Sequence, residues 1–473
     1  MTPLFFRSTS GARVRPRLLI RSLGLMVGSL LLLAVAPSCG DSASDGSADG
    51  AEDGTDFGPG GDDGGEGGAG AAGGDDDLGG NGDDGSGLGR AGFRFGINLG
   101  HPNPEFDDSE MSDLAREVGV RSIRLKYPEY HFFNWGQDIE VGDAEHYASL
   151  GMKDHVAFVI GMSQDHSTAP EGTEEWERDY YIPKNLYEPI FLENGEINPA
   201  NYYAVYLADT FETYSPWVKY WEIFNEPDWV SDWQVTQTWD TEPPTAEQLV
   251  RFHGSIFDYV RMLRIASEVR HLVAPDTYIL TGGLGYPSFL SALLRYTDNP
   301  DGGKVSDRYP KTGAAYFDVL SIHHYPHLVD DGSSDSALDS LTRSRDAFLD
   351  ELTKAKVTKG WMVTENGAAH VAIDGAASGP EYARNYLQKS MIWAKAEGFL
   401  GIDWFPLSDG KNASDPFSRM GLYEDLSAIS SLDAAQSTTS GDAYLTVSTL
   451  LGDARLDVKK TEALAPPDGA RGF

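Results

Sequence analysis

Cysteine is nearly absent. Cys39 is the only one in 473 residues, so no disulfide can form within the chain. Basic residues are scarce as well: 37 Lys and Arg face 73 Asp and Glu, for a formal net charge of -36. Nucleic-acid binding needs a basic footprint, and none is present. Metal-binding spacings are missing too. His323, His324 and His327 crowd one segment without an HExxH-type pattern. The Asp-Gly runs lack the alternating acids and closing Glu of a calcium loop. No metal or organic cofactor is expected.

What is there begins with a processing segment, residues 1–39. Arg7, Arg13, Arg15, Arg17 and Arg21 precede the apolar run LGLMVGSLLLLAVA and then APSCG. Cys39 at this point resembles the lipobox cysteine of bacterial lipoproteins, whose thiol takes a diacylglycerol, although Ala36 stands where Leu is usual. The expectation is export, with anchoring to the outer membrane or cell surface through Cys39 as the sole membrane contact. If Cys39 is incidental, the protein is simply secreted. Residues 40–90 follow as a tether. From Asp41 to Arg90 there are fourteen acids, one Arg and a single aromatic, Phe57, in a Gly-dominated run. Such a stretch cannot bury enough apolar surface to offset its ordering entropy, and its like charges extend it.

After Arg90 the pattern changes. Eight short β-rich runs, FRFGIN, VRSIRLK, HVAFVI, KYWEIF, YILTGG, FDVLSIHHY, WMVTE and FLGIDWF, are mostly separated by helical stretches such as DSEMSDLAREVG, PANYYAVYLADTFETY, TAEQLVRFHGSIFDYVRMLRIASEVRHL and EYARNYLQKSMIWAKAEG. The segment between the second and third runs is the weakest helix. GDAYLTVSTLLGDARL supplies a closing helix. This alternation predicts an α/β fold, a single (β/α)8 TIM-barrel domain over residues 91–458, with a loose tail at 459–473. It is expected to act as a monomer.

In such a barrel, chemistry collects at the C-terminal ends of the strands. The strand ends here carry Asn225 and Glu226 on the fourth, His323 and Tyr325 on the sixth, Glu365 on the seventh and the DWFP segment on the eighth, while the second strand carries Arg124. Alternation of faces turns Arg124, His323 and Tyr325 inward. On the fourth strand, Glu222, Phe224 and Glu226 share one phase, which makes Glu222 a buried carboxylate in need of an inward cation. Two carboxylates at one end of a barrel can cleave glycosidic bonds, one as general acid and one as nucleophile, provided they lie about 5–5.5 Å apart. Glu365 beside Arg124 should stay ionised; Glu226, partly desolvated and near Glu365, should stay protonated.

WEIFNEPD and VTENG, closing strands three apart, resemble the (β/α)8 retaining β-glycosidases of clan A, and within them families 5 and 39; the likeness spans about residues 91–455. The resemblance implies Glu226 as acid/base and Glu365 as nucleophile. It implies Asn225 on the sugar 2-hydroxyl, Arg124 and Tyr325 holding Glu365, and His323 paired with Tyr325 in the clan's His-x-Tyr element. The implied substrate is a β-linked carbohydrate.

Aromatic residues crowd the predicted mouth. Trp229, Trp233 and Trp239 follow Glu226 directly, and a ring buries the apolar face of a sugar well. Loop packing is the competing account, weakest for Trp229 and Trp233. Trp135, Trp176, Tyr180 and Tyr181 extend the candidate cleft. Trp404 is expected as the sugar floor, with Phe405, of opposite phase, as its competitor. His101 after the first strand is a subsite candidate or a structural histidine. A different class of function stays open: a catalytically silent carbohydrate-binding surface protein on the same fold, which would have no need of both Glu226 and Glu365.

Overall fold

The computed structural model describes residues 92–100, 106–328, 332–452 and 454. The processing segment with Cys39, the acidic tether, His101 and the tail at 459–473 lie outside the described residues.

Eight parallel strands close on themselves in chain order, each hydrogen-bonded to its sequence neighbours and the eighth to the first. They are β1 (Arg94–Asn98), β2 (Ser122–Pro128), β3 (His155–Ile160), β4 (Val218–Ile223), β5 (Tyr278–Leu280), β6 (Val319–His324), β7 (Gly360–Asn366) and β8 (Gly401–Trp404). Parallel neighbours need a long crossover, and helices supply it. α1 (Asp108–Glu117) follows β1, and two short helices, α2 (Glu129–Trp135) and α3 (Val141–Ser149), fill the stretch before β3. Then come α4 (Tyr202–Tyr214), α5 (Ile256–Val273), α6 (Pro287–Arg295), α7 (Ser334–Ala355), α8 (Pro380–Ala396) and α9 (Thr439–Leu451).

The helical run predicted from Thr245 breaks in two. Helix α5 begins only at Ile256, because Ser255 caps it and Asp258 bonds back to the Ser255 backbone N–H in a reciprocal box. Gly254 stands just ahead, where a Cβ would press on the Ile182 side chain at 2.6 Å. Residues 245–254 are thereby released to form a loop at the mouth.

The main apolar core lies between the strands and the helices, as with Trp221 of β4 stacked on Phe211 of α4 at 4.4 Å between ring centroids. A smaller apolar cluster, Val156, Tyr220, Leu280, Val319 and Met362, plugs the lower interior of the barrel. Above it the interior turns polar.

Candidate active site

Arg124 of β2 organises the polar interior. Its guanidinium lies over the Phe158 ring and donates to Glu222 Oε2 at 2.6 Å, Glu365 Oε1 at 2.7 Å, Asn225 Oδ1 at 2.7 Å and Asn98 Oδ1 at 3.1 Å. Glu222 is fully buried; Ser321 and Thr364 each donate a hydroxyl to its Oε1 at 2.7 Å. The inward cation that a buried Glu222 demanded is therefore Arg124, the same group that touches Glu365. Planar, always charged and forked, Arg suits this four-way role in a way Lys does not.

Glu365 receives a second bond, from the Tyr325 hydroxyl to Oε2 at 2.6 Å. Simple alternation would send either Thr364 or Glu365 outward. Register shifts on both sides of β7, between Ile322 and His323 and between Val363 and Asn366, let both reach the interior. Asn366 is then the residue that turns outward, to Tyr386 and Ser390 of α8.

The end of β4 departs from the expected phase. Phe224 packs outward, edge-on to Phe252 at 4.9 Å, rather than sharing the inward face of Glu222 and Glu226. The cause is local: Phe224 and Glu226 both adopt left-handed backbone, φ 72 and 49. This reversal turns Asn225 toward Arg124 and lifts Glu226 over the mouth, with its N–H held by the Gly282 carbonyl at 2.6 Å. A carboxylate oxygen of Glu226 and one of Glu365 lie within 4.8 Å of each other. His323 Nδ1 stands between them, 3.0 Å from Glu226 Oε1 and 3.5 Å from Glu365 Oε2, and its Nε2 meets the Thr364 hydroxyl at 3.1 Å. Gly283 backs the imidazole so closely that a Cβ there would fall 2.0 Å from Nε2.

The charge state of Glu226 overturns the sequence expectation. Burial pushes its carboxyl up, but the His323 hydrogen bond and the charges of His323, Arg251 and Arg124 outweigh that and hold it down at about 2. The expectation of a protonated Glu226 omitted Arg251, whose Nη1 pairs with Glu226 Oε2 from the loop ahead of α5. His323 moves the other way: burial lowers it, and Glu365 and Glu226 together raise it above its ordinary value. The two shifts are opposite in sign, and both favour the proton on the imidazole over the carboxyl. Nearby Asp228 is pushed up to about 7 by burial, even though it accepts from the Tyr286 and Gly285 backbone N–H groups. It ties the loop after β4 to the loop after β5.

Trp404 is not a sugar floor. It is 2% exposed, its indole N–H is spent on the Met420 carbonyl at 2.8 Å, and its ring faces Tyr386 of α8. The reason is phase: Asp403 points inward to Arg94, so Trp404 points out and Phe405 in. Phe405, joined to Pro406 by a cis peptide, lies edge-on to Tyr325, which also packs against Phe417. Trp239 is fully buried against Tyr286 and Phe289, a packing residue. Trp229 and Trp233 stay exposed, at 36% and 59%, as do Trp135 and Trp176. Tyr181 is held against His253.

No family model and no curated protein matches the chain. Solved structures do. A family 39 glycoside hydrolase from the gut symbiont Bacteroides cellulosilyticus aligns at 17% identity and TM-score 0.47 over 76% of this chain, which spans 64% of that one. The family 1 β-glucosidase of Thermotoga maritima aligns at 15% identity and TM-score 0.49 over 78% of this chain and 99% of that one. Fungal β-1,4-galactanases align at 15% identity and TM-score 0.43, with 75% and 94% covered. The first is described as a glycoside hydrolase, the second as a β-glucosidase and the third as β-1,4-galactanases.

Proposed function

We propose that the protein hydrolyses O-glycosidic bonds in β-linked oligo- or polysaccharides with retention of configuration. The observation that carries this reading is that an oxygen of Glu226 and one of Glu365 approach within 4.8 Å across the mouth, with Glu365 fixed between Arg124 and Tyr325. Separations near 5 Å suit a covalent double displacement; inversion needs about 6.5–9.5 Å to admit a water. Glu365, aimed by those two contacts, is the nucleophile, and Glu226 is the acid/base.

In the first step a Glu365 oxygen bonds to the anomeric carbon as the carbon–oxygen bond to the leaving group breaks. The leaving oxygen takes a proton from the Glu226 carboxyl, which is left as the carboxylate. In the second step a water gives a proton to Glu226 and bonds to the anomeric carbon, and Glu365 departs. Asn225 is positioned for the sugar 2-hydroxyl, and Phe405 lines the floor. His101 remains a subsite candidate, and Trp229 and Trp233 remain candidate platforms.

Azide tests both roles. Glu365→Ala with azide should yield the inverted glycosyl azide; Glu226→Ala should still glycosylate with good leaving groups, then yield the retained azide. General acid–base help is typically 10²–10⁴-fold, so poor leaving groups should suffer by about that much more in Glu226→Ala. Identical configurations from the two variants would sink the assignment. Beside this stands the proposal of export and a lipid anchor at Cys39; it fails if Cys39→Ser leaves membrane association unchanged.

A further inference from the structure

Glu226 has two oxygens with different company. Oε1 is engaged by His323, which also faces Glu365. Oε2 is the oxygen left to meet a leaving group, and the Arg251 guanidinium covers it. A guanidinium neither accepts a proton nor gives one up at ordinary pH, so proton transfer through Oε2 requires Arg251 to move. Among the described residues, Glu226 is the one carboxylate within ion-pairing distance of Arg251.

The arrangement permits that movement. The Arg251 side chain is 36% exposed, and its guanidinium rests on the Trp229 ring at 4.5 Å. The backbone around it is fixed: the Val250 N–H bonds to the Trp229 carbonyl at 3.1 Å, and Phe252 is fully buried against Phe224 and Tyr259. Only the side chain needs to swing. The charged groups bearing on the Glu226 carboxylate are His323 from β6, Arg124 from β2, and Arg251 and Asp228 from the loops after β4; Glu365 of β7 faces it through His323.

A neutral leaving unit must break the ion pair and return nothing to the guanidinium. An anionic one replaces the lost partner in the same movement. We propose that Arg251 is a specificity-determining residue that selects β-linked saccharides whose leaving unit carries an anionic oxyacid group, such as a uronate carboxylate or a sulfate ester, and that this group draws the guanidinium off Glu226. The inference rests on the hydrolytic reading above and adds the chemical class of the unit on the leaving side.

Phenyl β-glycosides of glucose, galactose, xylose and mannose, with a meta-carboxylate or its methyl ester on the phenol, provide the test. A second pair carries sulfonate or sulfonamide. The carboxylate is the poorer leaving group of its pair, so intrinsic reactivity works against the expected result. Wild type should favour the anionic member by about tenfold or more in kcat/KM, the scale of one charge-assisted contact. Preference in the carboxylate pair alone assigns a uronate; preference in both assigns sulfate as well. Arg251→Met should abolish the preference while hydrolysing the ester at least as fast, and Arg251→Lys should restore part of it. The alkaline limb of kcat/KM should move to higher pH in Arg251→Met, since Glu226 then holds its proton more tightly. Hydrolysis without preference in wild type, or preference surviving in Arg251→Met, overturns this inference alone. No hydrolysis of any member overturns it together with the glycosidase reading.

Discussion

Two arginines point into the barrel, and they do opposite things. Arg94, at the lower end, donates to Ser122 Oγ at 2.7 Å and Asp403 Oδ1 at 3.1 Å, and lies over the Tyr220 ring. Asp403 Oδ2 finds no partner, and burial pushes that carboxyl up to about 6 against the pull of Arg94 and Arg124. Arg124, one layer higher, has every contact matched by a carboxylate or an amide oxygen, and two of those acceptors, Glu365 and Asn225, stand in the mouth. A buried ion pair is weak support for stability unless all its polar atoms are satisfied. The lower pair therefore closes the barrel at some cost, whereas the upper one fixes the position of reacting groups. Substitutions in the two layers should separate activity from stability.

The largest separation is expected at Glu365. Glu365→Ala should lose on the order of 10⁵-fold in kcat, as removal of a nucleophile does, with only a small shift in thermal midpoint. In the lower layer the balance reverses. Arg94→Met leaves Asp403 buried and unpaired, which should cost about 3–5 kcal/mol in urea unfolding while the folded fraction keeps its kcat. Adding Asp403→Leu should recover much of that loss, and failure to recover would mean the pair does more than neutralise itself. The pH dependence sharpens this contrast. The folded value of Asp403, about 6, lies above the ordinary 3.8, so the folded state gains its proton first as pH falls. The Asp403 contribution should therefore increase stability as pH drops from about 6 toward 3.8 and be lost on the way back. In Asp403→Asn that window should flatten.

Smaller effects probe the supports of the mouth. Tyr325→Phe removes one charge-assisted bond to Glu365 and should lower kcat by about 10–100-fold, leaving the fold intact. Smallest is the eighth strand: Trp404→Phe should cost about 1 kcal/mol of stability through the lost indole bond and leave KM unchanged, whereas Phe405→Ala should raise KM. A raised KM in Trp404→Phe alone would restore tryptophan as the floor.

Much of this was legible in the chain because period-two alternation is a strong signal on long strands. It turned Arg124, His323 and Tyr325 inward, where the structure has them. It failed where the backbone leaves the pleat. Left-handed φ at Phe224 and Glu226 cancels the alternation, and four residues of β8 were too few to separate Trp404 from Phe405. Arg251 was hidden for another reason: an apolar helical periodicity read straight through Gly254. The Ser255–Asp258 box was the signal that would have divided the segment. With Arg251 assigned to a helix, the charge on Glu226 came out inverted.

The left-handed backbone at Glu226 also has a consequence for laboratory evolution. Position 226 is one where folding and chemistry favour different residues. Gly or Asn tolerates φ 49 readily, while Glu holds it at about 1 kcal/mol or more. A library selected by heat challenge alone should drift toward Gly or Asn there and return robust, inert barrels. Selection for turnover would have to be applied in every round to keep the glutamate.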